Sequence, residues 1–143
     1  MDQDIITLDR VRRDPKVKTF IKAANEQMDA LGYTEHGFRH AGIVAETARD
    51  IIANLSTDGR MAELAAISGF LHDIGNSINR LGHPDTAAIM AFILLNEMGM
   101  PAEEVALIIA AIGNHEEDLG APVSAISAAL ILADKSDVHH SRV

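Results

Sequence analysis

The stretch AISGFLHDIGNS, Ala66–Ser77, decides how this chain is read. An apolar run of good helix formers meets His72 and Asp73 side by side and then breaks at Gly75. A helix terminus alone requires neither residue. In mid-helix, neighbouring side chains diverge by about 100°. At a helix end the backbone leaves that geometry, and both side chains reach one point. Gly75 is expected to supply the freedom for a sharp turn away. The break is therefore read as part of a site.

The surrounding sequence is helical in its punctuation. Before this stretch, RRDPKVKTFIKAANEQMDALG offers Asp14 as an N-cap, Pro15 at the first helical position and Gly32 as the stop. A second helix is expected from about Gly37 to Leu55, ended by the polar STDG, and a third from about Gly59 to His72. A short loop then leads to HPDTAAIMAFILLNEMG. MPAEEVALIIAAIGNH and APVSAISAALILADKSD repeat the pattern with Pro101 and Pro122. The expectation is all-α: one compact bundle of about six helices, forming a single domain over residues 1–143.

Composition agrees with that reading. Apolar residues make up 48% of the 143 and aromatic ones 3%, so the core is aliphatic and the aromatic signal of strands is missing. The net charge of −9 argues against duplex nucleic acid as a partner, because phosphate neutralisation needs a basic patch. A small phosphorylated ligand stays compatible with it where a metal supplies positive charge. There is no cysteine, hence no disulfide framework and no thiolate metal site. MDQDIITLDR carries no apolar signal core, and runs such as AAIMAFILL fall short of a bilayer span. A cytoplasmic protein without membrane association is expected.

Polar residues then interrupt the apolar stripes. His40 shares a stripe with Val44, Thr47, Ile51 and Leu55; His72 follows Leu64 and Ser68; His115 follows Ile108 and Ile112; Asp134 follows Ile126 and Leu130. A single histidine on such a face is ordinarily a core residue with one hydrogen-bond partner. An unpaired buried carboxylate is costly, and several such groups from separate helices share one solution. A divalent metal satisfies imidazole and carboxylate together, the donor set of iron, manganese, zinc or nickel. His36, four residues before His40, is a rival for the same position.

HAGIVAETA, LAAISGFLHDIG and ILADKSD, in that order, resemble the H…HD…D signature of the HD superfamily of metal-dependent phosphohydrolases. The resemblance runs from about Gly37 to Asp137. It implies His40, His72, Asp73 and Asp134 as metal ligands. HPDTAAIMAFIL is similar to a helix of two-metal HD proteins, and NHEEDLGAP to a segment of the HD-GYP branch. By that comparison His83 and His115 hold a second metal and Asp73 bridges the pair. Where that branch has a lysine after HDIG this chain has Asn76, and where it has two histidines this chain has Asn114-His115. The glycine-tyrosine-proline is absent, so cleavage of cyclic dinucleotides is not implied.

The expectation is thus a phosphohydrolase with two divalent ions, iron or manganese first, with zinc, nickel, cobalt or magnesium as alternatives. Its substrate would be a small phosphomonoester or phosphodiester, nucleotide-like, attacked by metal-activated water. Asp73 and Lys135 are the candidate catalytic residues, and Arg80, Lys135 and His36 the candidate substrate contacts. Asp137, three residues after Asp134, is a candidate to orient a ligand histidine. Glu116 and Glu117 are expected to be solvated, and His139 and His140 exposed. A di-iron oxygenase and a non-catalytic metal-binding domain are the competing readings; a homodimer is compatible with a bundle of this size.

Overall fold

Helix caps set the boundaries of the elements. In a computed structural model that describes residues 5–116 and 122–137, the chain forms seven α-helices, with no strand among the described residues. They are α1 (Leu8–Arg13), α2 (Pro15–Ala30), α3 (Phe38–Leu55), α4 (Gly59–Leu71), α5 (His83–Met98), α6 (Ala102–Gly113) and α7 (Ala125–Ser136), with a 3₁₀ turn over Ile74–Ser77. Asp14 caps α2 by accepting from the backbone N–H groups of Lys16 and Val17 at 2.8 and 3.1 Å. Asp58 does the same for α4 through Arg60 and Met61, and Ser124 caps α7 through Ser127. Each cap satisfies donors that the first helical turn leaves without partners.

Two expectations about elements need correction. The short α1 was absent from the sequence reading; it contributes buried Leu8 and Val11. The segment after Asp73 is not a plain loop but the 3₁₀ turn. Gly75 there does not adopt a positive φ; among the described residues only Gly32, Gly82 and Gly99 do. Its lack of a side chain serves a close approach instead. A Cβ at Gly75 would lie 2.2 Å from the His83 carbonyl oxygen and 2.7 Å from the Ala87 nitrogen. The turn is pressed against the first turn of α5, which brings His83 back towards His72 and Asp73.

The central helix is α4. From Leu64 to Leu71 every residue is buried, the pattern of a helix enclosed on all sides. It packs on α3, α6, α7 and α1. Gly69 permits a close approach to α3: a Cβ there would stand 2.9 Å from the backbone of Ala45. The buried face of α3 runs through His40, Ala41, Val44, Ala45, Ala48 and Ile52. The stripe expected through Leu55 therefore has the wrong phase at its far end, where Leu55 is 76% exposed and Thr47 and Ile51 are half-buried. Small alanines let α3 and α4 approach closely, and large aliphatic residues of α6 and α7 fill the opposite side of α4. Each fully buried Leu or Ile contributes roughly 1.5–3 kcal/mol. No described helix is long and apolar enough to cross a membrane.

Candidate metal centre

Five buried histidines meet at the end of this bundle, His36 beside four that form two facing pairs. His40 comes from the first turn of α3, His72 from the end of α4, His83 from the start of α5, and His115 from just beyond α6. Each has its Nδ1 beside an oxygen that only accepts. His72 Nδ1 lies 2.7 Å from the Gly69 carbonyl, His115 Nδ1 2.6 Å from that of Ile112, and His83 Nδ1 3.1 Å from that of Arg80. His40 Nδ1 lies 2.6 Å from Asp137 Oδ2. Every Nδ1 must therefore carry the proton and donate, which leaves each Nε2 with a lone pair.

Those lone pairs face one another. His40 and His72 bring their Nε2 atoms to 3.3 Å, and so do His83 and His115. Asp73 stands between the pairs. Its Oδ2 is 3.5 Å from His40 and 3.3 Å from His72, while its Oδ1 is 3.5 Å from His83 and 3.8 Å from His115. Asp134 Oδ1 joins the first pair at 3.1 and 3.4 Å. Opposed imidazole lone pairs cannot hydrogen-bond each other, so these rings must either take a further proton at Nε2, facing Asp73 and Asp134, or share a cation. The donor set is four imidazole nitrogens and two carboxylates. It fits borderline divalent ions, with Asp73 able to serve two of them.

Electrostatics point the same way. Burial opposes the charged form of His40, yet hydrogen bonds to Asp134 and Asp73 outweigh it and raise its pKa to about 9. His72 is raised well above the usual imidazole value despite burial, chiefly by Asp73 and then Asp134. Asp73 and Asp134, against their own burial, are held well below the carboxylate range, with His72 the largest favourable influence on each. The first cluster thus attracts positive charge. Burial and the neighbouring His72 push His115 down to about 4, which keeps it neutral and able to ligate at ordinary pH.

The six expected ligands are brought together. In three donor trios one ligand atom from each residue lies within 4.8 Å of the other two: His40, His72 and Asp134; His72, Asp73 and His115; and His36, His40 and Asp73. His36 is not displaced by His40, since both reach the centre. His83, at the start of α5, is 2% exposed and so faces the centre and not solvent. A cavity of about 310 Å³ opens on the centre, lined among others by His36, Arg80, Glu116 and Lys135. Glu116 is not simply solvated, for its Oε2 lies 3.5 Å from His83 Nδ1. Glu117, His139 and His140 lie outside the described residues, as does most of the NHEEDLGAP segment.

Sequence reasoning singled out Asp137 but missed what holds it. Arg39 donates to both carboxylate oxygens of Asp137 at 3.3 and 3.2 Å and to Glu35 at 2.9 Å. Glu35 in turn accepts from the Gly37 backbone at the entrance of α3. The RH dipeptide at Arg39-His40 was the available signal. Adjacent positions placed the arginine on the flank of the histidine, but nothing in the sequence paired it with a residue 98 positions away.

Comparison with known proteins agrees with this fold. No protein-family model matches the chain. An uncharacterised protein from Methanocaldococcus jannaschii is 30% identical over 63% of this chain and 40% of its own length. The crystal structure of a predicted HD superfamily hydrolase from an uncultured Thermotogales bacterium superposes on 84% of this chain with a TM-score of 0.65 and 26% identity. The chain spans 65% of that protein and so corresponds to part of each relative. With its all-α architecture and its His/Asp cluster, the chain has the HD-domain fold and resembles the HD superfamily, as the H…HD…D order implied.

Proposed function

We propose that this chain is a metal-dependent hydrolase of phosphate esters, acting on a phosphomonoester or phosphodiester of a nucleotide or similar small molecule. One observation carries the reading: the two oxygens of Asp73 face two separate histidine pairs whose Nε2 lone pairs converge. His40, His72 and Asp134 would hold one ion, His83 and His115 a second, and Asp73 both. A divalent ion, when bound, supplies Lewis-acid charge to phosphoryl oxygens and acidifies water to a pKa of about 7. The likeness to a predicted HD superfamily hydrolase supports hydrolysis as the reaction class.

The protein's own groups prepare the site for that reaction. The surrounding histidines hold Asp73 well below the carboxylate range despite its burial, which keeps it ionised and suited to hold a cation. Asp137 fixes the ring of His40, and three backbone carbonyls fix the other rings, so the donors need little reorganisation. Arg80 and Lys135 line the cavity wall and would meet the non-reacting phosphoryl oxygens. In the overall step a water oxygen bonds to phosphorus, the ester P–O bond breaks, and the proton lost by water leaves with the alcohol.

The test is metal content and turnover together. Elemental analysis of protein purified without chelator should give about two ions per chain, and His83→Ala should retain about one. The two-metal protein should release phosphate or alcohol from a panel of nucleotide esters without consuming oxygen. Oxygen uptake with a redox-active iron pair would replace hydrolysis by oxygenation. A fully loaded protein inert to every ester would leave a binding domain only.

A further inference from the structure

Among the seven arginines described, two lack an ion pair with any described carboxylate: Arg10 on α1, and Arg80 on the wall of the cavity. The second is unusual, because Asp73, Glu116, Asp134 and Asp137 line the same cavity. Arg80 is nevertheless held. Its guanidinium lies over the ring of Tyr33, 5.1 Å from the centroid. Its Nη1 approaches Asn76 Oδ1 at 3.5 Å and the sulfur of Met28 at 4.0 Å. Asn76 is 1% exposed and donates from Nδ2 to the backbone carbonyl of Asp73 at 3.1 Å. A guanidinium fixed on its face and one edge, yet with no carboxylate, is a receptor prepared for an outside anion.

We propose that Arg80, laid on Tyr33 and tied through Asn76 to the backbone of Asp73, is the anion-recognising residue of this cavity and selects phosphomonoesters over phosphodiesters. The inference rests on the phosphohydrolase reading and narrows its substrate class. A monoester presents three terminal oxygens and, above its second pKa near 6, a charge approaching −2. A diester presents two and a single charge. The planar fork of arginine matches two phosphate oxygens at once, so its interaction is worth most where the third oxygen and second charge exist. The buried Asn76 explains why the position after HDIG carries no cation here. It orients one that arrives four residues later.

The experiment uses the metal-loaded chain and two independent readouts. Calorimetry with inorganic phosphate measures anion recognition directly, and the specificity constants for p-nitrophenyl phosphate and bis(p-nitrophenyl) phosphate measure selection. Arg80→Gln should weaken phosphate about 10- to 100-fold and lower the monoester constant in parallel, the loss of a charge-assisted contact. The diester constant should stay within about threefold. Tyr33→Leu, which frees the guanidinium without removing it, should weaken phosphate about two- to fivefold. Arg10→Gln is the control, and Arg80→Lys stands in if Arg80→Gln fails to fold. Unchanged phosphate affinity in the Arg80 variants, equal losses on both esters, or no phosphate binding by the wild type would each overturn the proposal. If the wild type binds phosphate but cleaves neither ester, the hydrolase reading fails, and the Arg80 variants still decide anion recognition.

Discussion

Gly75→Ala tests the idea that the second histidine pair is assembled by close approach of the 3₁₀ turn to α5. Gly75 has no positive φ, so alanine there is conformationally allowed. If backbone freedom were the only consideration, the substitution would stabilise the protein by about 0.4–1 kcal/mol through the unfolded chain. The structure predicts the opposite sign. The new Cβ would lie 2.2 Å from the His83 carbonyl oxygen, where ordinary contact begins near 3.4 Å, so the start of α5 must retreat by about 1 Å. Overpacking costs about 1–3 kcal/mol. The upper end applies here because the struck atom is backbone, with no rotamer to yield. The same retreat carries His83 away from Asp73 Oδ1 and His115 Nε2, now at 3.5 and 3.3 Å. Urea unfolding should show a loss of about 3 kcal/mol with an unchanged slope. Metal analysis of the folded variant should show one ion retained and the other lost. A variant as stable as wild type that keeps both ions would refute the reasoning, since it would mean that the turn and α5 are not in the contact described.

Other outcomes follow from named contacts. Asp137→Asn replaces the carboxylate that accepts from His40 Nδ1, and should weaken metal binding about 10- to 100-fold, measured by competition with a chromophoric chelator. Glu104→Gln removes a carboxylate that Arg60 grips through two nitrogens at 2.9 and 2.7 Å. It should cost about 1 kcal/mol near pH 7 in urea unfolding. The hydrogen bond from Arg60 holds Glu104 below its ordinary value of 4.5 against partial burial. A depressed carboxylate contributes stability above its unfolded pKa and loses it as the pH falls through the folded one. The gap between wild type and Glu104→Gln should therefore narrow below pH 4.5 and close once the glutamate is protonated in both states. Gly69→Ala, with its Cβ 2.9 Å from the backbone of Ala45, should lose about 2–3 kcal/mol by prising α3 from α4, while metal stoichiometry in the folded fraction is kept.

The helices were legible because their ends carry chemistry that the backbone requires. Asp14-Pro15 and Gly32 bracket α2, and Gly99 closes α5, as the capping pattern predicts. Pro122 was a less faithful marker: Ser124 makes the cap of α7, two residues further on. Helix α1 escaped notice because six residues are too few to establish a period, and its stability comes from Leu8 and Val11 packing into the core. The misphased stripe of α3 has a related cause. Both Ile51 and Ile52 suit a core face, and only packing against α4 decides that Ile52 is the buried one.

The site was legible to a different degree at each shell. Residues pointing at the centre are conspicuous in sequence because a histidine or aspartate on an aliphatic stripe violates the local pattern, and four such violations from separate helices have few common explanations. The supporting residues violate nothing. Arg39 and Glu35 look like an ordinary charged pair at a helix entrance, and Asn76 and Arg80 like loop polarity after a helix end. What distinguishes them is long-range contact: Arg39 reaches Asp137 across 98 positions, and Arg80 reaches Met28 across 52. Gly75 was conspicuous but misattributed, since a glycine required for φ and one required for approach are identical in sequence. The HD pair and the glycine that follows it therefore serve two separate ends. His72 and Asp73 sit at the helix end so that both reach one centre. The glycine after them lets α5 press close enough to bring the third histidine there.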